Sequence, residues 1–118
     1  MATLKEELAQ LVKVEGISAA VVISRDGFVV DGVNNSGTFD QEAVGAVVSA
    51  GIGSLEAIGR ELNAGGLAEV LIECADGIVA TRLLGADTAL TVVTDAKANV
   101  GNVRYQIKKQ IPAILAAL

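Results

Sequence analysis

Hydrophobic residues recur with helical spacing along residues 40–62, the stretch that dominates the pattern of this chain. At 100° per residue they form one apolar stripe, which is typical of a helix that packs on a core. The stripe consists of Val44, Val47, Val48, Gly51, Leu55, Ile58 and Leu62. We therefore predict one long helix with Asp40 as its N-cap, which stops at residues 63–66, where two glycines can supply a positive φ.

The far side of the same helix is made of small residues. Alanine or glycine recurs there at spacings of three and four, with no charged residue among them, at Ala43, Ala46, Ala50, Gly53 and Ala57. The helix contains four glycines, each of which costs about 1 kcal/mol relative to alanine. Small side chains let a second backbone approach closely, and three-four spacing is typical of paired helices. We predict that this row pairs with its copy in a twofold dimer, although another segment of the same chain could cover it instead.

Apolar runs and turn signals predict the remaining elements. A capping box formed by Thr3 and Glu6 starts a first helix of about three turns. We place five strands at residues 17–24, 28–31, 67–75, 78–84 and 88–94. Asn99 caps a last helix, which we expect Pro112 to kink or split because proline removes a backbone hydrogen bond.

The strands differ in how their apolar residues alternate. The first strand (ISAAVVIS) and the last (TALTVVT) are apolar at both parities, which predicts central strands covered on both faces. In the third strand, Glu69 and Glu73 alternate with apolar residues, which predicts a sheet edge. A two-residue Asp-Gly turn after it would place Leu71 opposite Arg82, with the two glutamates diagonal to that arginine.

Composition narrows the class of protein. A chain of 118 residues fits one domain spanning residues 1–118, and its single cysteine fits a reducing, cytoplasmic compartment. A net charge of −5 and 3% aromatic residues argue against nucleic-acid binding. We see no secretory signal, and the longest uncharged stretch, residues 43–55, is too short for membrane insertion. The mean hydropathy of +0.54 is high for such a chain, so we expect apolar surface to be shared with a partner.

Catalytic chemistry is hard to assign to this sequence. It contains no histidine, which excludes imidazole-based triads and most catalytic zinc sites. Two carboxylate pairs, one at Asp26 and Asp31 and one at Glu69 and Glu73, lie on expected turns and edges without burial that would raise a pKa. We therefore predict no enzyme activity, no catalytic residues, no cofactor and no metal. Arg25 and Arg60 are candidates for contacts with an anion, and ordinary solvation is the alternative for both.

Four segments carry a resemblance to a known family. They are GISAAVVISRDGFVVDG, the alanine-rich EAVGAVVSAGIGSLEAIGREL, LAEVLIECADGIVATRLLGADTALTVVTD and NVGNVRYQI. Together they resemble the roadblock/dynein-light-chain family, specifically its bacterial and archaeal MglB-like branch. The resemblance implies a roadblock/profilin-like α+β fold of two to three layers, with the element order α-β-β-α-β-β-β-α. It further implies a five-stranded antiparallel sheet in the order 2-1-5-4-3, with the long helix on one face and the terminal helices on the other.

The resemblance also implies partners. Members of the family form homodimers through the middle helix and the third strand, and they bind small Ras-like GTPases. We therefore expect a dimer interface of Ala43, Ala46, Ala50, Gly53, Ala57, Glu69, Leu71 and Glu73. We place GTPase binding on a rim beside the small residues, formed by Glu42, Ser49, Glu56 and Arg60.

Three functional hypotheses follow from these expectations. The first is a homodimeric regulator that stimulates GTP hydrolysis without an arginine finger, since Arg25 is the only arginine at an expected loop tip. The second is a structural adaptor that tethers a larger complex. The third, a small-molecule sensor, would need a polar-lined pocket that the sequence does not indicate.

Overall fold

The computed structural model describes residues 2–37 and 39–118. Within those residues the elements are α1 (Leu4–Val12), β1 (Ile17–Ser24), β2 (Val29–Asn34), α2 (Gln41–Glu61), β3 (Glu69–Cys74), β4 (Gly77–Leu83), β5 (Thr88–Thr94) and α3 (Val100–Ala117). The strands form one antiparallel sheet in the order β2-β1-β5-β4-β3. The expected element order and sheet order are both confirmed.

The sheet separates two helical layers. On one face, α1 and α3 contribute Leu8, Leu11 and Ile107 to a core shared with the strands through residues such as Val22 and Leu90. On the other face, α2 lies over β1 and β2. β1 is therefore covered by helices on both faces, and both β1 and β5 are almost entirely buried.

The predicted strand positions are confirmed. β1 lies between β2 and β5, and β5 lies between β1 and β4, so the two runs that are apolar at both parities are central. β3 has β4 on one side only, and its last four residues are exposed. Alternation of charge with apolar residues thus identified an edge strand.

The helix ends follow the predicted capping chemistry. The Thr3 side chain accepts a hydrogen bond from the Glu6 backbone at 3.2 Å, and the Glu6 carboxylate accepts one from the Thr3 backbone at 3.1 Å. Asp40 and Asn99 cap α2 and α3 in the expected way. After the C-cap Leu62, positive φ values occur at Asn63 (54°) and at Gly65 (87°), so the expected glycine conformation is present and Asn63 takes the first such position.

The β3–β4 register differs from the predicted one by two residues. Cys74 pairs with Gly77, so the turn consists of Ala75 and Asp76 and not of the Asp-Gly pair. Glu69 therefore lies directly opposite Arg82 and accepts a hydrogen bond from it at 3.1 Å. A shift of two preserves the face of every side chain, so the predicted alternation survives.

Two further boundaries differ from expectation. β2 extends to Asn34, because its pairing with β1 continues as far as Ala19. α3 runs without a break through Pro112, so the predicted split is wrong. Pro112 is exposed, which places its ring on the solvent side of the helix, where the bond that proline removes is easiest to replace with water.

By length and composition alone, α2 meets the requirement for a membrane-spanning helix. Only 11% of its apolar window is buried within the domain. The helix nevertheless packs on the sheet through Gly45 and Ile52 and carries a half-buried ion pair at Glu56. These contacts favour an interaction helix of a folded domain, and the prediction of no membrane insertion stands as a prediction.

Candidate interaction surfaces

α2 contacts the sheet through a narrow side centred on Gly45 and Ile52, its two buried residues. A Cβ atom added to Gly45 would lie 3.3 Å from the carbonyl oxygen of Gly27, in the β1–β2 turn. A side chain at residue 45 would push the turn away by a few tenths of an ångström, so glycine favours this close approach. This close approach determines how α2 is rotated about its own axis.

The rotation turns much of the predicted core stripe outward. Val47, Ile58 and Leu62 are 72%, 54% and 70% exposed. Val44, Val48 and the remaining members are only half-buried. The prediction that this stripe packs on the core of the same chain is therefore wrong. Side chains this apolar on an open surface indicate contact with a second molecule.

An ion pair between Arg25 and Glu56 joins α2 to the β1–β2 turn. The Arg25 guanidinium makes two hydrogen bonds with the Glu56 carboxylate, one of them at 3.2 Å from Nη1 to Oε2. The Ser49 hydroxyl donates to the Arg25 carbonyl oxygen. The buried Arg25 Nε has no hydrogen-bond partner within the described residues. Arg25 is thus held against the helix, and the expectation of an exposed arginine at a loop tip is wrong.

The predicted alanine row (Ala43, Ala46, Ala50, Gly53 and Ala57) lies on the outer side of α2. Four of its members are exposed, and Ala57 is half-buried. A Cβ atom added to Gly53 would meet nothing within 4 Å, so nothing within the described part of the chain requires a glycine there. Most of this row is therefore left uncovered by the described residues, which argues against the alternative that another segment of the same chain covers it.

A shallow apolar groove separates α2 from the edge of the sheet. It encloses about 160 Å³ and is lined by Val47, Val48, Gly51, Ile52, Leu55, Val70, Ile72 and Thr81. We call the α2 residues on this side the groove row, namely Val47, Gly51, Leu55, Ile58 and Leu62. Helical spacing places Ala50 about 100° from Gly51, so the alanine row faces away from β3 while the groove row faces toward it.

β3 forms the other wall of the groove and leaves its outer edge open. Leu71 and Glu73 are exposed, as expected for interface residues. Glu69 is different, because its side chain is only 14% exposed and accepts hydrogen bonds from Arg82 and from Arg104 of α3. Its carboxylate is therefore used within the chain, and only its backbone is available to a paired strand.

The four predicted GTPase-binding residues lie on one side of α2, between the alanine row and the sheet. Glu42 and Arg60 are exposed. Ser49 and Glu56 are half-buried and bonded to Arg25. Helical spacing in the sequence therefore placed these four residues on the same side of α2, but it did not reveal the contacts of Ser49 and Glu56 with Arg25. These join residues far apart in the chain and leave no local pattern.

The titratable side chains of the described residues bear on which chemistry the domain could support. Within residues 2–37 and 39–118 no group of three or more His, Cys, Asp or Glu side chains could hold a metal ion. The hydrogen bond from the Thr3 backbone, followed by that from its hydroxyl, lowers the pKa of the exposed Glu6 carboxyl. This lowered pKa results from the capping box of α1 and does not mark a cleft. The candidate functional groups are therefore sought on the surfaces described above.

Comparisons with known proteins agree with the fold. Two uncharacterized proteins of Methanocaldococcus jannaschii are each 36% identical to the chain over 110 residues, covering 92% of this chain and 94% of each relative. Among solved structures, Myxococcus xanthus MglB has a TM-score of 0.88 at 14% identity, covering 96% of this chain and 92% of that chain. A structure described as MglB with tetrameric arrangement gives 0.86 at 19% identity, covering 95% and 85%.

Profilin IA of Acanthamoeba castellanii is also similar, with a TM-score of 0.64 at 14% identity and coverage of 97% and 98%. At these identities the solved structures establish the fold alone, and they confirm the roadblock/profilin-like architecture. A sequence profile described as the Roadblock/LC7 domain matches residues 3–94, most of the chain. The chain therefore belongs to the Roadblock/LC7 domain family.

Proposed function

We propose that this domain forms a homodimer that binds a small Ras-like GTPase and stimulates its GTP hydrolysis without supplying an arginine finger. The observation that carries the proposal is the outer side of α2, whose exposed apolar residues Val47 and Ile58 and whose row of small residues the described chain leaves open. The resemblance to the MglB-like branch supplies the class of partner. Such a regulator acts by binding, and it works in the cytoplasm, as the single cysteine predicts.

The dimer is proposed to use α2 and β3 together. The open edge of β3 can pair with its copy, since an unpaired edge presents free backbone donors and acceptors. Self-association is supported by the tetrameric arrangement of an MglB structure with the same fold. A twofold axis through β3 would bring the two α2 helices together on one face of the continuous sheet.

The two candidate rows of α2 fit this dimer differently. The groove row faces β3, so pairing of the β3 edges would direct it toward the partner helix. The alanine row was the predicted seam, but it faces the other way. We therefore propose that the groove row packs against the partner and that the alanine row remains on the outer side of both helices. A dimer seam along the alanine row, without β3 pairing, is the rival arrangement.

In this dimer the GTPase would sit on a platform formed by both α2 helices. Ala46, Ala50 and Gly53 have no bulky side chains, so a partner backbone can approach closely. Glu42 and Arg60 flank this surface and are free to make polar contacts. The domain would then stabilise one conformation of the partner's switch loops by binding that conformation more tightly.

The absence of an arginine finger is proposed from the Arg25 contacts. A finger must reach the γ-phosphate and contributes about 10³ to 10⁵ in rate. Arg25 would first have to leave Glu56, to which it is joined by two hydrogen bonds. Arg60 is exposed but lies on the last turn of a rigid helix. Neither arginine is positioned as a mobile loop residue.

The test begins with a pull-down from native lysate in the presence of GTP or GDP, which identifies the GTPase. Single-turnover hydrolysis is then measured with the wild type, Arg25→Ala and Glu56→Gln. We expect both variants to retain stimulation wherever they retain binding, because no finger is removed. Loss of stimulation in Arg25→Ala with binding intact would overturn the finger-free mechanism.

The adaptor hypothesis is the second candidate, because the outer surface of α2 would suit a constitutive partner equally well. An adaptor would bind a scaffold or motor subunit and leave nucleotide turnover unchanged. A partner recovered equally well with either nucleotide, and no effect on hydrolysis, would favour the adaptor over the regulator.

A further inference from the structure

Charge is distributed unevenly along this chain. Residues 96–118 contain four Lys or Arg and no Asp or Glu. The rest of the chain carries five basic residues and all fourteen acidic ones. Most of the basic segment is α3. A protein with a net charge of −5 therefore has one helix that is exclusively basic among its charged residues.

The outer side of α3 combines free cations with exposed apolar groups. Lys108 and Lys109 are exposed, and neither forms an ion pair with any residue in the described ranges. Tyr105, Leu115 and Leu118 are 61%, 47% and 50% exposed. Helical spacing places Tyr105 and Leu115 on the same outer side as the lysines, away from the buried Ile107 and Ile114.

An ion pair places this helix beside the edge of the sheet. Arg104 donates to Glu69 of β3 from Nε at 2.9 Å and from Nη2 at 3.3 Å. The N-terminal part of α3 therefore lies beside β3, on the face of the sheet opposite α2. In the proposed homodimer, on which this step rests, pairing of the β3 edges would bring the two α3 helices together. Their outer sides would form one face with four unpaired lysines.

We propose that this face docks on the surface of an anionic phospholipid membrane. Lysines attract acidic headgroups, while tyrosine and leucine beside them favour the boundary between headgroups and acyl chains. The contact is peripheral and needs no inserted helix. It holds the α2 platform on the side facing away from the lipid, where the proposed GTPase binds.

Other acidic partners fit this face less well. A peptide would be expected to occupy a groove, but the described clefts that border α3 lie at its N-terminal end, around Val100 and Asn102. Single-stranded nucleic acid requires several stacking aromatic residues, and this side of α3 offers Tyr105 alone. A broad, mixed basic and apolar face matches a lipid surface better.

The test is co-sedimentation of the full chain with vesicles. One set is phosphatidylcholine alone, and in the other about one third of the lipid is phosphatidylserine. We expect binding to the anionic vesicles only, and weaker binding at high salt. Each lysine lost from the face should lower the affinity for anionic vesicles about fivefold. Lys108→Gln/Lys109→Gln removes four lysines from a dimer, so its affinity should fall by more than about a hundredfold.

The matched control is Lys5→Gln/Lys13→Gln, which removes the same charge from α1 and its C-cap, where Lys5 pairs with Asp31 and where Glu6 and Glu7 lie nearby. This control should keep full binding. Equal loss in both double variants, or no binding by the wild type, would overturn the inference. Lysine-dependent binding to polyglutamate without binding to vesicles would also overturn it, in favour of an acidic protein.

Sedimentation velocity of the same samples separates this inference from the proposed dimer. A dimer that fails to bind anionic vesicles would contradict the membrane face only. A monomer whose weaker binding still depends on Lys108 and Lys109 would contradict the homodimer and leave the membrane face supported.

Discussion

Replacing Val47 by glutamate tests which side of α2 forms the homodimer. Val47 belongs to the groove row and is 72% exposed within one chain. Full burial of a valine contributes about 1.5–3 kcal/mol, so covering the exposed part contributes about 1–2 kcal/mol per copy. Two copies contribute about 2–4 kcal/mol, and burying two unpaired carboxylates adds a further cost. We expect a loss of at least about 4 kcal/mol, which weakens dimerisation about a thousandfold.

Ala50→Glu is the matched control, because it adds the same charge on the alanine row. Both positions are exposed, so neither change should unfold the monomer, and circular dichroism checks this. Sedimentation velocity should show Val47→Glu as a monomer and Ala50→Glu as a dimer with impaired GTPase binding. The opposite result, a dimer for Val47→Glu and a monomer for Ala50→Glu, would refute the reasoning and establish the alanine row as the seam.

Three further changes test contacts within one chain. Glu56→Gln should lower the free energy of unfolding in urea by about 1 kcal/mol, since it weakens a partly buried pair with Arg25; no change would show that the pair contributes nothing. Glu69→Gln leaves two arginines without their carboxylate and should cost about 2–3 kcal/mol, seen as a lower Tm, whereas an unchanged Tm would mean that both arginines find other partners. The lowered pKa of Glu6 means that its contribution to stability is present above the unfolded pKa and is lost as pH falls through the lower folded value. Thr3→Ala removes the hydroxyl but keeps the backbone N–H, so the pKa measured by NMR should rise only part of the way toward 4.5, and an unchanged pKa would contradict a role of the hydroxyl.

The sequence was sufficient where local chemistry decides the outcome. The capping box at Thr3 and the parity of the strand Ile17–Ser24 depend only on residues close together in the chain. The rotation of α2 could not be predicted in this way. It depends on the approach of Gly45 to Gly27, and on Glu56 meeting Arg25, contacts between residues distant in the chain. An apolar stripe shows that a helix has an apolar side, but not which molecule covers it.

The predictions about β3 were right where a local pattern decides the outcome and wrong where it does not. The edge position of β3 followed from alternating charge, which is a local pattern. The register at its turn did not, because the preference for Asp-Gly competes with the pairing of Cys74 with Gly77. The paired use of Glu69 by two arginines involves a residue of α3, which no pattern within the hairpin could indicate.

The position of β5 has a consequence for how the chain folds during synthesis. This strand joins β1 to β4, pairing Ser24 with Thr88 and Ile17 with Thr94. Until it leaves the ribosome, the β1–β2 and β3–β4 hairpins have no strand between them, so the sheet remains divided into two parts. Pairings this distant in sequence form slowly and leave apolar surface open to aggregation. A nascent chain that stops before Thr88 should therefore need a chaperone, while the completed chain should fold in one cooperative step.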